Sequence, residues 1–448
     1  MMATISASHP LYLLPLLASL TQIPSIGAEQ TFNYEQNMED VASPRRCSVC
    51  ASLDSVPVDL LMKKKMFIPK FNSKEDVACK REHPAATLFQ RQLSYLKSPK
   101  CNLHRHFRPR AMENGFGATM MSLVKPTMHA LTYGYCIDKP AQFKMWSSKK
   151  CAGWECFFAE VGQPNITGSA DLLAAKEGQA HHISATSFLS ERLDDKADCI
   201  PWWEVQYDTD DDKNAPLQEM CAVQFSHKLL GDGVLPPAFQ TKGHFFTVSQ
   251  ITAGLFELAP SVQKRIEDKK QRLGWPKNSP LIGLHVRLGD ACIKSEHGIG
   301  EHGRKCNQLV DFMQHVRKIS NEYSIKNIYL ATDSEGVLND TRQYPQYNWF
   351  FDRTTRRGGV LDRKSIEYSL SHKLIDGYDE GLGVIDDVFL LAETHALIGK
   401  FTSNIDRVAY QLMTGQSNCY KPYVSLDSTW CFDHGLKSGH SDFGPFWC

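Results

Sequence analysis

The sequence predicts an α/β protein whose C-terminal half is a parallel sheet with helices packed on it. Three observations predict this. From about residue 245, apolar stretches of strand length alternate with stretches of helical periodicity. Polar residues follow three of those strands at the same end: Arg287 and Asp290, Thr332 and Asp333, and Thr402-Ser403-Asn404. In open sheets of this kind, ligands sit beyond the carboxyl ends of the strands. Finally, 448 residues, 42% of them hydrophobic, suffice for a sizeable core and for more than one domain.

The elements follow in order. Residues 1–28 hold an apolar core from Leu11 to Leu20, then small residues at Gly27-Ala28, and read as a signal peptide cut near Ala28. An uncleaved anchor is the second reading. A membrane span needs about 20 apolar residues, and Pro15 and Pro24 interrupt this run. Residues 29–110 are polar, contain cysteines and read as an irregular stem or cap. Residues 111–240 open with Gly115-Phe116-Gly117. Met121, Val124, Met128 and Leu131 follow at helical spacing, with Pro126 interrupting. A Gly-Phe-Gly turn before a helix serves either as a plain helix entry or as backbone that approaches a phosphate. The acidic run at 207–213, YDTDDDK, reads as a solvated loop rather than a metal site.

Within 241–416, residues 245–272 predict one amphipathic helix. Strands are predicted at 281–286, 327–331, 347–351 and 396–399, and helices at 309–319, 384–393 and 406–413. Residues 417–448 form a tail rich in cysteine and aromatics. The turn at Thr402-Ser403-Asn404 stands ahead of a helix, where hydroxyls, amides and the helix N-terminus can hold a phosphate. With the other two strand exits it favours an anionic ligand such as a nucleotide diphosphate.

Composition narrows the function classes. Lys+Arg and Asp+Glu are both 50, and a chain without basic surplus is not expected to bind nucleic acid. Fourteen cysteines spread over the chain fit disulfides and the secretory route. The sequons at Asn165 and Asn339 fit the same compartment, as glycosylation acceptors. Cys292 and Cys306 flank the loop EHGIGEHG and are expected to pair with each other.

Five stretches carry a resemblance. They are Gly115-Phe116-Gly117; Gly153-Trp154-Glu155; Val248-Ser249-Gln250; IGLHVRLGD at 282–290 with YLATD at 329–333; and FTSNIDRVAYQLM at 401–413, preceded by Asp387. Together they resemble the α1,6-fucosyltransferase family, over roughly residues 111–160 and 240–415. The resemblance implies a GT-B-type architecture, with an N-terminal lobe at 111–240 and a C-terminal Rossmann-like donor lobe at 241–416. It implies transfer of L-fucose from GDP-fucose with inversion, without a metal or other cofactor, to an oligosaccharide or glycoprotein acceptor containing GlcNAc. It also implies the Golgi lumen or secretion, with membrane contact only if the N-terminal segment stays uncleaved. A protein O-fucosyltransferase and a non-catalytic glycan- or nucleotide-sugar-binding protein are the alternatives.

Residue by residue, Arg287 matches the arginine on the donor diphosphate. His285 and Asp290 flank it, and Asp333 falls on the donor or acceptor side. Asp387 matches a carboxylate that recognises guanine. Thr402, Ser403 and Asn404 match the diphosphate turn, Arg407 stands at a matching place with either a donor-site or a structural role, and Gly115, Phe116 and Gly117 match GDP-fucose-binding residues. The general base has no unique match: Glu296 comes first and Glu301 second. Leu288 departs from the family, which often has a second arginine there. No stretch past 416 resembles the C-terminal SH3-like domain of animal members.

Overall fold

The computed structural model describes residues 50–53, 64–70, 83–101, 105–109, 111, 115–133, 136–140, 143–161, 181–184, 237–289, 292, 305–353 and 366–431. Among these, the strands are β1 (Ala51–Ser52), β2 (Met66–Phe67), β3 (Arg105–Arg108), β4 (Cys136–Ile137), β5 (His181–Ser184), β6 (Leu281–Val286), β7 (Asn327–Thr332), β8 (Asn348–Phe350), β9 (Ala396–Gly399), β10 (Cys419–Tyr420) and β11 (Tyr423–Ser425). The α-helices are α1 (Pro84–Leu96), α2 (Phe116–Tyr133), α3 (Gly243–Leu255), α4 (Pro260–Leu273), α5 (Leu309–Tyr323), α6 (Glu335–Asp340), α7 (Ile366–Ser371), α8 (Gly377–Ala392) and α9 (Asn404–Ser417).

The main sheet has the order β2-β11-β9-β6-β7-β8. All neighbours from β11 to β8 run parallel, and β2 is added antiparallel at the edge. Every residue of β6 is buried, as expected of a parallel strand covered on both faces. The chain moves one way from β6 to β7 and β8. It then returns to the other side of β6 for β9 and β11. The order therefore reverses between β6 and β9, the place where sheets of this kind form a ligand crevice beyond their strand ends. A second, parallel sheet has the order β4-β3-β5. There β3, α2 and β4 form a βαβ unit whose βα turn carries Gly115.

Several expectations are refined. The predicted helix at 245–272 is two helices. Pro260 is the first residue of α4, and the residue before a proline is pushed out of helical geometry: Ala259 has φ −59° and ψ 144°. The break lets the chain cross back on the Trp154 segment, where the Ala259 amide donates to Phe157 O at 3.1 Å. Conversely, α2 runs straight through Pro126. Its face of Met120, Leu123, Val124 and Met128 is fully buried, and the Thr127 hydroxyl donates to Leu123 O at 2.8 Å. The packing outweighs the lost backbone bond. Residues 29–110 carry more order than their composition suggests. Phe89 and Leu93 of α1 are fully buried in the core, and β2 joins the main sheet.

Disulfides join Cys50 to Cys419, Cys101 to Cys136, Cys151 to Cys156 and Cys292 to Cys306. The first staples β1 to β10 across 369 residues of chain. Replacing both Cys50 and Cys419 with serine is expected to lower unfolding stability by about 3–5 kcal/mol, since a longer loop has more unfolded-state entropy to restrict. Urea unfolding under non-reducing conditions measures it, and an unchanged midpoint would rule the staple out.

Candidate functional site

The crevice is built where β6, β7 and β9 end side by side. His285 is the next-to-last residue of β6, and Arg287 leaves the strand two residues later. Side chains two apart on a strand share a face, so the imidazole and the guanidinium point the same way. Arg287 is half-buried. The turn behind it is held by Asp333 at the exit of β7, whose Oδ1 accepts the Leu288 amide at 2.8 Å. Gly289 makes this possible: a Cβ there would collide with the other Asp333 oxygen.

The exit of β9 meets this turn from the other side. Asp406, in the first turn of α9, is buried, and its Oδ2 accepts the Lys400 amide at 3.0 Å. The same oxygen lies 2.9 Å from His285 Nδ1. A side chain at Gly399 would displace this carboxylate, because a Cβ would overlap Asp406 Oδ1. Burial alone would lower the affinity of His285 for its proton. Asp406 and then Asp333 oppose that, Arg287 works against them, and the net direction is upward from the usual 6.5.

Of the three turn residues, two have their side chains engaged. The Thr402 hydroxyl donates to Asp427, and the Asn404 carbonyl accepts from Arg407 Nη2. Ser403 differs: it is the N-cap of α9, its Oγ is buried without a hydrogen-bond partner, and it makes no capping bond. A helix of fourteen residues thus presents its first-turn amides with a spare hydroxyl beside them, which suits an anion. Arg407 is buried and donates to Cys431 O at 3.2 Å as well, so it positions the turn from behind.

The second sheet brings its own βα turn here. A Cβ at Gly117 would lie 3.0 Å from Asn404 Cβ, so the starts of α2 and α9 touch. Phe116, grouped with the donor-site residues in the sequence, is a core residue: its ring meets Trp146 edge-on at 4.9 Å and Phe157 at 5.2 Å. Only its backbone remains for a ligand. Trp154 of Gly-Trp-Glu is core too, donating its indole N–H to Ala159 O at 2.8 Å.

Asp387 on α8 accepts a 2.8 Å bond from the Tyr329 hydroxyl of β7. Burial pushes its carboxyl up, with Asp386 adding to this, while Lys269, Tyr329 and His285 pull the other way; the net direction is up. Asp386 is bound by Arg265 at 2.9 Å and Lys269 at 3.1 Å and holds α8 to α4.

Asp290, Glu296, Glu301 and Asn165 lie outside the described residues, as do residues 1–28 and 207–213. The base of the loop carrying the two glutamates is described. The Cys292 amide donates to Gly289 O at 3.0 Å, Lys400 Nζ donates to Lys305 O, and the Cys292–Cys306 bond closes the ring. The loop is thus tied to both crevice turns. Asn339 is exposed on α6, while the Thr341 hydroxyl of its sequon is buried and donates to Leu338 O at 2.7 Å. Among the described residues no His, Cys, Asp and Glu side chains group as a metal site, and no helix is long and apolar enough to cross a membrane.

With the crevice in view, residues 238–430 match a family model described as α-(1,6)-fucosyltransferase N- and catalytic domains. The matched stretch is less than half of the 448-residue chain. An α-(1,6)-fucosyltransferase of Drosophila melanogaster is 24% identical over 202 residues, 43% of this chain. The match spans 29% of that relative's length. The fucosyltransferase NodZ from Bradyrhizobium has a crystal structure soaked with GDP-fucose. It is 16% identical, with 69% of this chain and 92% of that one covered and a TM-score of 0.37. A structure of POFUT1 in complex with GDP is 9% identical, covers 71% of this chain and 98% of that one, and has a TM-score of 0.36. Structural likeness of that size fixes no residue role. The matched stretch contains both sides of the switch point, Arg287 just beyond β6 and Ser403 beyond β9.

Sequence reasoning missed Asp406, Asp427 and Lys400. Asp406 had a signal: it is an acid three residues after the helix-capping serine. Its inward direction depends on the bare Gly399, which no local pattern reveals. Asp406→Asn is expected to cost about 3–5 kcal/mol at pH 6, since it leaves a buried imidazolium without its partner. A histidine held above its unfolded value contributes fully below about 6.5 and loses that contribution as pH rises through the folded value. The cost should therefore shrink by pH 8.5. Urea unfolding of wild type and variant at the two pH values measures it, and a cost independent of pH would refute the pairing.

Proposed function

We propose that this protein is a fucosyltransferase of the secretory pathway that transfers L-fucose from GDP-fucose, with inversion and without a metal, to a glycan containing GlcNAc. An α1,6 linkage is the reading the family favours. One observation supports the proposal: on either side of the point where strand order reverses, Arg287 follows β6 and the N-terminus of α9, with its spare Ser403 hydroxyl and no capping bond, follows β9. The family of residues 238–430 supports the same chemistry. In this reading the two parallel sheets are the lobes of a GT-B-type enzyme, and GDP lies along the switch point.

The mechanism follows from charge. As fucose leaves GDP, negative charge grows on the β-phosphate. The Arg287 guanidinium offers a two-pronged donor, and the α9 amides and Ser403 offer more, already oriented. Asp333 and Asp406 do not face the phosphate as ligands; they hold the turns that carry the donors. Asp387 takes the guanine. The attacking hydroxyl loses its proton to a carboxylate of the tethered loop, Glu296 first and Glu301 second. The rival reading is a binding protein without turnover, motivated by Leu288 in place of a second arginine. Transfer to protein Ser or Thr is the rival among enzymes.

Incubating the purified protein with GDP-fucose and a panel of glycan and peptide acceptors separates these. Arg287→Lys should lower the rate constant at least ~100-fold while leaving the fold intact, because a point charge cannot replace the fork. Transfer should persist in EDTA. Near-normal turnover by the lysine variant, or loss in EDTA restored by Mn2+, would overturn the proposed chemistry.

Glu296→Gln should lower the rate ~100- to 10,000-fold with GDP affinity unchanged, and Glu301→Gln should do much less. Calorimetry with GDP alongside turnover distinguishes the two. A dead Glu301→Gln with an active Glu296→Gln would reverse the assignment.

A further inference from the structure

The sequon Asn339-Asp340-Thr341 serves no role above, and the fold treats its two ends in opposite ways. Asn339 is exposed on α6, and its helical neighbours Glu335, Gly336, Arg342 and Gln343 are exposed too. Thr341 is only 5% exposed, and its hydroxyl donates to Leu338 O at 2.7 Å. The sequon is wound into helical turns. After α6 ends at Asp340, a single 3-10 turn, Thr341–Gln343, continues from it. The Tyr344 amide closes that turn on Thr341 O at 3.0 Å, and Gln343 Nε2 donates to Asp340 Oδ1 at 3.3 Å. Val337 and Leu338 anchor the turns in the core with Ile328 and Leu330 of β7.

An N-glycosylation acceptor needs the asparagine amide and the Ser or Thr hydroxyl two residues later. An enzyme that uses both must reach both at once. A sequon in a surface loop allows this after folding as well as before. On a helical turn, residues two apart do not face the same way. Here one points to water and the other into the core. Freeing the Thr341 hydroxyl means unwinding the turn and breaking its bond to Leu338 O, an obstacle that the unfolded chain lacks. A glycan already on Asn339 stands in water and disturbs no buried group.

We infer that Asn339 is glycosylated before β7, α6 and β8 fold together, and that folding then closes the site to the transferase. In the step, Asn339 Nδ2 forms a bond to C1 of the first sugar of a polyprenyl-diphosphate-linked oligosaccharide. The C1–O bond to the diphosphate breaks, and the lipid diphosphate leaves with the electron pair. The amide proton passes to a base of the host transferase. Occupancy is set by a race between transfer and folding. The inference rests on the secretory reading and is independent of the donor reading.

The test has two arms. The full chain is made in a eukaryotic secretory host, and the peptide carrying Asn339 is mapped with and without peptide-N-glycosidase. Wild type and Thr341→Ser should carry a glycan there, and Asn339→Gln and Thr341→Val should not. In parallel, the full chain from a host without N-glycosylation is offered to a solubilised microsomal transferase with labelled lipid-linked oligosaccharide. It is offered either native or reduced and carboxymethylated. The unfolded chain should be modified at Asn339, and the native chain at least ~10-fold more slowly, since it reacts only through local opening. Equal rates overturn the inference, as does a lumenal chain whose Asn339 stays bare in the cell. A chain that never enters the lumen, scored by protease protection in microsomes, overturns the secretory reading and the inference with it.

Discussion

The crevice depends on the buried carboxylate of Asp406. Taking a carboxylate out of water costs several kcal/mol unless charge and hydrogen bonds compensate. Here the compensation comes from two different strands. The Lys400 amide belongs to the exit of β9, and the His285 imidazole belongs to β6. The carboxylate itself rides on the first turn of α9. One group thus fixes two neighbouring strand ends and a helix start relative to one another, across the seam where strand order reverses. Bare Gly399 gives it the room. Asp333 repeats the device one strand further on, clasping the Leu288 amide over bare Gly289. Arg287 lies between the two clasps, with its backbone constrained from both sides.

The N-terminal half contributes by packing rather than by charge. Phe116 is locked among Trp146, Phe143, Phe157 and Phe158. That cluster sets where α2 begins, and hence where Gly117 meets Asn404. Gly381 of α8 fits against the same rings: a Cβ there would lie 3.1 Å from Phe116 and 2.8 Å from Phe157. The cluster therefore positions α8 and its Asp387 as well. The motif residues of the N-terminal half serve the site indirectly. Their aromatic rings hold backbone in place, and the backbone faces the crevice.

Much of this was legible in the sequence, for identifiable reasons. The four strands from 281 to 399 were visible because buried parallel strands are short apolar runs between helical stretches. The site end was visible because polar residues collect where such strands stop. Arg287 and the 402–404 turn are singled out in this way. The break at Ala259 was missed, although Pro260 marked it, because the apolar face of α3 continues in phase into α4. Asp406 was missed because acids in first turns are usually solvent-facing, and its inward course is decided by Gly399, a neighbour in space. The order in 84–96 was missed because α1 owes its burial to α3, a partner more than 150 residues away in the chain.

Leu288 looks like a loss when the sequence alone is considered, since a second guanidinium would help hold a diphosphate. In the structure its amide is taken by Asp333 and its side chain packs against the core that holds Leu284 and Val286. The position has become part of the turn's frame. The positive charge of the crevice is then divided between Arg287 and His285 on one face of β6, and these two repel. The arginine lowers the histidine's proton affinity, and the two aspartates hold it up. An anion seated on Arg287 would cancel that repulsion and raise the affinity further. By linkage, a higher proton affinity in the bound state means that protonation strengthens anion binding by the same factor. A diphosphate would therefore bind more tightly as pH falls through the range in which His285 takes up its proton. Leaving-group charge and the His285 proton would be stabilised together, in a crevice that keeps a single arginine.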